Sequence, residues 1–148
     1  MWLLHLLREP GAVAAVVAEV ARVLRPGGVF LTTVDKDAAH DVGSDIDEVF
    51  APHLTHAPAD AAEQVAAHAA EVGLRPYGDA LFAGHGQGRT PRGAAGALSA
   101  GRYASRISPR GVTVRELADR LGLLPDQDTP RAEPTYRLQG FVSGFRGG

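Results

Sequence analysis

The sequence predicts an α/β fold, and three observations carry that prediction. Residues 11–34 read as a helix, a glycine turn and an apolar strand; residues 60–83 read as a capped helix running into a second strand; residues 135–144 read as a last strand. Helical and extended patterning that alternate along one chain mark helices packed on a sheet.

The first unit opens with "GAVAAVVAEVARVL", residues 11–24, apolar except for Glu19 and Arg22. A polar stripe that narrow predicts a helix buried over most of its circumference. It should stop near Leu24, because Arg25 precedes Pro26 and a residue before proline avoids the α region. Gly27 and Gly28 then supply the turn. "VFLTTV", residues 29–34, is β-branched and aromatic without polar alternation, which predicts a strand covered on both faces as in parallel sheets.

Acid accumulates next, at Asp35, Asp37, Asp41, Asp45, Asp47 and Glu48, in a predicted loop with a short helical turn over 45–50. Asp60 and Glu63 have the spacing of a capping box for the following helix, and Gly73 stands where a helix stops. "LRPYGDALFA", 74–83, is the second strand, with Pro76 and Gly78 marking an edge or a bulge. After the glycine-rich loop "GHGQG", Thr90 and Pro91 have cap and first-turn chemistry for a helix. "TVRELADRLG", 113–122, is a short amphipathic helix with a second capping box, Thr113 and Glu116. A proline-rich linker, 125–134, leads to the final strand, which places Tyr136, Leu138 and Val142 on one face.

The bulk composition narrows the function classes. A chain of 148 residues, 45% apolar and 22% charged, suits one globular domain rather than disorder. A formal charge of −2 gives no footprint for nucleic acid or an anionic membrane. Zero cysteines exclude a disulfide framework, a thiolate metal site and a cysteine nucleophile. The apolar opening lacks a basic leader, and its longest uncharged run, residues 10–18, is far short of the roughly 18–20 residues of a membrane span. A cytoplasmic location is expected. A helix-turn-helix reading of 112–127 is disfavoured, because the required second helix would fall in 126–139, which prolines break, and the chain is mildly acidic.

Together, "LLHLLREP", residues 3–10, and "EVARVLRPGGVFLTTV", residues 19–34, resemble the class I S-adenosylmethionine-dependent methyltransferases of the small-molecule group. The resemblance is sharp over residues 3–34 and extends to the order of elements along nearly the whole chain. It implies a partial Rossmann-like sheet of C-terminal strands and helices, in one domain over 1–148, with the last strand antiparallel to its neighbours. The family's glycine-rich cofactor turn and ribose-binding acid lie N-terminal to the matching region, so the resemblance implies a truncated methyltransferase. A non-catalytic binding or dimerisation module derived from one is the alternative. By the resemblance, Leu4 and His5 stand on the cofactor side, with Trp2 a candidate for stacking on adenine. Asp35 and Asp37 fall on the acceptor side, since open α/β sheets bind ligands outside the carboxyl ends of their strands. No metal ligand set and no catalytic residue is legible. The implied partners are S-adenosylmethionine, a small-molecule acceptor, and either a second copy or a complementing N-terminal half.

Overall fold

The computed structural model describes residues 1, 3–55, 58–104 and 106–144. Trp2, His56 and Ser105 lie outside the described residues, and with them the stacking reading of Trp2. Among the described residues, five α-helices and three strands follow in the order α1 (Ala12–Val23), β1 (Val29–Val34), α2 (Asp45–Phe50), α3 (Ala62–Glu71), β2 (Leu74–Ala83), α4 (Pro91–Ser99), α5 (Val114–Gly122) and β3 (Thr135–Ser143). The chain divides into two compact units, one of Met1–Ala39, Ala57–Phe82 and Thr135–Gly148, the other of His40–His56 and Ala83–Pro134.

The first unit holds a mixed architecture around a three-stranded sheet in the order β1-β3-β2. β3 runs antiparallel to β1, with Val29 opposite Val142 and Val34 opposite Arg137. It is also antiparallel to β2. The Phe82 and Tyr136 rings meet at 5.4 Å, while Gly78 O lies 3.3 Å from where a Cβ on Gly140 would stand. One face of the sheet is closed by α1 and α3, with Phe30, Val34 and Phe141 meeting Val13, Val17, Val65 and Ala69.

Two expectations are corrected here. β1 is not covered on both faces, because Val29 is 39% and Leu31 46% exposed. A strand without polar alternation can owe its apolar content to its neighbours along the sheet as well as to a second layer. α1 is likewise buried along one face only, at Val13 and Val17, and Ala15, Ala18 and Val23 stay exposed. Its alanines fit helix propensity without demanding burial.

The second unit has a helical core of its own. α2 supplies Ile46 and Phe50, α4 Ala94 and Leu98, α5 Leu117 and Leu121, and Ile107 closes the cluster. Both expected local caps hold. Thr90 accepts from Gly93 N–H, and Thr113 and Glu116 complete a reciprocal capping box. The glycine-rich loop is tied down rather than open: Glu133 accepts from the amides of Gly86 (2.9 Å) and Gln87 (2.8 Å). A Cβ at Gly88 would stand 2.3 Å from Arg131 O, so only glycine fits there.

Candidate functional site at the carboxyl end of β1

β1 ends at Val34, and the chain turns through Asp35 in the left-handed region at φ 51°. Asp and Asn tolerate that conformation better than most residues. Three hydrogen bonds fix the turn against the start of α3. Asp35 N–H donates to Asp60 O (2.9 Å), Lys36 N–H donates to Asp60 Oδ2 (2.9 Å), and Asp35 Oδ1 accepts from Ala62 N–H (3.1 Å).

The last of these corrects the expected capping box at Asp60 and Glu63. The residue before α3 is Ala61, without a side-chain cap, and the first-turn amide is satisfied by Asp35 from 27 residues away in sequence. A long-range cap meets the same need for an acceptor at a helix start, but spacing along the chain cannot reveal it.

Asp60 is thereby freed for a different place. It is fully buried, and its Oδ1 has no hydrogen-bond partner among the described residues. Burial pushes its carboxyl up, and the Asp37 charge pushes it the same way, against the Lys36 amide and the His5 charge. His5 stands half-buried in a 3-10 turn, Leu4–Leu6, with its Nδ1 buried and without a hydrogen-bond partner among the described residues. Burial and the Lys36 charge push the imidazole down, opposed by Asp37 and Asp60.

The structure therefore gathers His5, Asp35, Asp37 and Asp60 at one end of β1. The sequence singled out three of these, and Asp60 it missed, because nothing in "PADA" distinguishes an inward acid from a capping one. Leu4 is placed elsewhere: its side chain is fully buried in the core of the first unit, so only its backbone can face a ligand. Each of these two groups, the carboxyl of Asp60 and the imidazole of His5, is pushed toward its neutral form by burial.

Met1 lies beside β1. Its amino group donates to Leu31 O, and its carbonyl accepts from Thr33 N–H at 3.0 Å, the pattern of a parallel bridge along the outer edge of β1. At the opposite, amino end of β1, a cavity of about 410 Å³ is lined by Ala21, Leu24, Pro26, Leu74 and Ser143. Ser143 Oγ already donates to Arg25 O there (2.6 Å), and Arg22, which also lines the cavity, is paired with Glu19.

In the second unit the acidic run is an ion-pair array. Arg131 meets Asp45 through two bonds of 2.8 Å, Arg89 pairs with Asp47, and Arg106 pairs with Asp41. Asp47 also accepts from Ser44 and Val42 amides, closing the start of α2. These acids are structural. Among the described residues no group of three His, Asp or Glu side chains has metal-holding geometry, and no helix is long and apolar enough to cross a membrane.

Set against known proteins, the chain matches no family model, no curated protein and no solved structure.

Proposed function

We propose that the chain is the C-terminal, acceptor-side part of an S-adenosylmethionine-dependent methyltransferase of the small-molecule type, with a partial Rossmann-like sheet. The observation that carries the reading is the place of β3: the last strand lies between β1 and β2 and runs antiparallel to both. An antiparallel last strand is what the "RVLRPGGVFLTTV" resemblance leads one to expect. Further support comes from the gathering of His5, Asp37 and Asp60 at the carboxyl end of β1, where an open sheet receives its ligand.

The fit to the cofactor is incomplete. By the resemblance His5 stands on the cofactor side, while the side chain of Leu4 is buried in the core. No glycine-rich turn follows a first strand in this chain, and "GHGQG" has its amides engaged by Glu133. No step of methyl transfer is therefore assigned to these residues. Calorimetric titration with S-adenosylmethionine tests the reading. Weak binding that His5→Ala abolishes is expected, and no heat at millimolar cofactor rules out autonomous activity.

A second reading, a non-catalytic binding module, is favoured by the outer edge of β1. Met1 covers part of that edge, and Val29 and Leu31 stay exposed along it. A complementing N-terminal half would extend the sheet there. Co-expression with such a half should raise the thermal midpoint; an unchanged midpoint and no complex would reject complementation.

A further inference from the structure

We propose that the loop 84–88 is an oxyanion-binding site, for a phosphate or carboxylate group, which the chain fills with its own Glu133. The inference lies in the second unit and is independent of the methyltransferase reading.

"GHGQG" places a glycine at every second position, and the three serve different ends. A Cβ on Gly84 would stand 2.9 Å from Pro134 Cγ, and one on Gly88 2.3 Å from Arg131 O, so the outer two permit close packing. Gly86 between them has φ 65°, and a Cβ there would meet nothing within 4 Å. At this left-handed turn two successive amides converge. Those of Gly86 and Gln87 donate to the two separate oxygens of Glu133, at 2.9 and 2.8 Å. Successive main-chain N–H groups gathered at a left-handed residue form a concavity for anions, as at many phosphate sites. A carboxylate held through both oxygens fills it as an external oxyanion would.

The frame of the site does not depend on that carboxylate. Gly84 N–H donates to Pro134 O (2.7 Å) and Arg131 N–H donates to Arg89 O (2.8 Å), one bond on either side of Gly86 and Gln87. Pro130 and Pro134 restrict the backbone of the segment that carries Glu133. The Arg131 guanidinium anchors that segment to Asp45 and to the carbonyls of Pro125 (2.9 Å) and Thr129 (2.8 Å). Glu133, by contrast, is exposed, a long side chain that gives up rotamer freedom to hold its place. It is the replaceable part. An incoming oxyanion competes with a tethered carboxylate, whose effective concentration is on the order of millimolar. A dianionic phosphate makes the stronger charge-assisted bonds to the same amides.

Amide chemical shifts of the isotope-labelled full chain test the site. Sodium phosphate is titrated in at constant ionic strength, with chloride as the balancing anion. In Glu133→Ala the Gly86 and Gln87 amides should shift saturably, at a concentration about tenfold or more below that needed in the native chain. Glu133→Gln keeps an acceptor without the charge and should lie between the two. Adding Gly86→Ala to Glu133→Ala puts a β-carbon at positive φ and should abolish the response. A parallel titration with acetate assigns the ligand: tighter phosphate marks a phosphate-bearing molecule, tighter acetate a carboxylate-bearing one. Unmoved Gly86 and Gln87 amides in Glu133→Ala, or equal affinity in the native chain, would overturn the proposal. So would a response that survives Gly86→Ala, since the ions would then be binding adventitiously. Collapse of the loop in both Glu133 variants would overturn it as well, because the frame would then need the carboxylate.

Discussion

In the first unit the buried carboxylate of Asp60 meets the backbone amide of Lys36, while in the second Asp45, Asp47 and Asp41 each meet a guanidinium. The two solutions leave the acids in opposite states. Burial dominates Asp60 and pushes its carboxyl up. Asp45 is held below its ordinary value by the Arg131 guanidinium. Asp47 is pushed up by burial, but the Ser44 amide and hydroxyl, the Arg89 charge and the Val42 amide together outweigh that and hold it low. An acid fixed by arginine is held ionised, whereas one whose burial goes uncompensated is held toward its neutral form. That contrast is why the candidate site lies in the first unit, although the second is richer in paired acids.

The broadest test of the comparison is whether both units depend equally on their cores. Phe141 is 2% exposed beneath α1 and α3, and Phe50 is 2% exposed among α2, α4 and α5. Replacing either by alanine should cost about 3–5 kcal/mol in urea unfolding followed by circular dichroism. A much smaller loss at one of them would mean that its unit is held chiefly by polar contacts.

Polar contacts should matter most at Asp47. Its side chain is 13% exposed and that of Arg89 11%, and Arg89 also lies over the Phe50 ring at 5.7 Å. Asp47→Ala strips Arg89 of its anion and α2 of its capping acid, and should cost about 3 kcal/mol by the same measurement. Arg92 and Asp128 form an exposed pair, 68% and 74% accessible, whose removal should leave the unfolding midpoint unchanged.

The sign of the pH dependence sharpens the contrast further. Asp47 has a lowered value when folded, so its stabilisation is present above the ordinary carboxylate range and is lost as pH falls through the folded value. Asp47→Asn should differ most from the native chain near neutrality, with the difference shrinking in acid. For Asp60 the folded value is raised, so the folded state binds the proton more tightly and stability falls as pH rises through the window between the unfolded and folded values. Asp60→Asn keeps an acceptor for Lys36 N–H and removes the ionisation penalty. It should gain on the native chain at neutral pH, and the gain should vanish below about pH 4. Unfolding midpoints across the pH range would reveal the two opposite trends, and parallel trends would refute the assignment.

Elements whose signals are local were legible from sequence. The helix stop before Pro26, the strand over 74–83, the Thr90 and Thr113 caps and the last strand all depend on chemistry within a few residues of each position. The candidate site was legible only as a place, the carboxyl end of β1. Its most buried member, Asp60, was hidden because its partner is a backbone amide 24 residues away. The roles of Asp41, Asp45 and Asp47 were hidden for the same reason, since their arginines follow 65, 86 and 42 residues later. Charge runs state how much acid is present, and only folding decides which acid finds a cation.

The smallest effect separates local from long-range capping. Thr113 Oγ1 accepts from Glu116 N–H at 3.1 Å, and Glu116 returns a bond to the Thr113 amide at 2.7 Å. Thr113→Ala removes one half of that reciprocal box and should cost about 1 kcal/mol, the usual value for losing a cap. Asp35→Ala removes the acceptor for the Ala62 amide and also places alanine at φ 51°, where a β-carbon without a compensating polar group is strained. Its loss should therefore exceed that of Thr113→Ala. Asp35→Asn retains both the acceptor and the tolerance for positive φ, so it should recover most of the difference. If Asp35→Ala cost no more than Thr113→Ala, the turn after β1 would be held by the Asp60 contacts alone, and Asp35 would be free for the acceptor side.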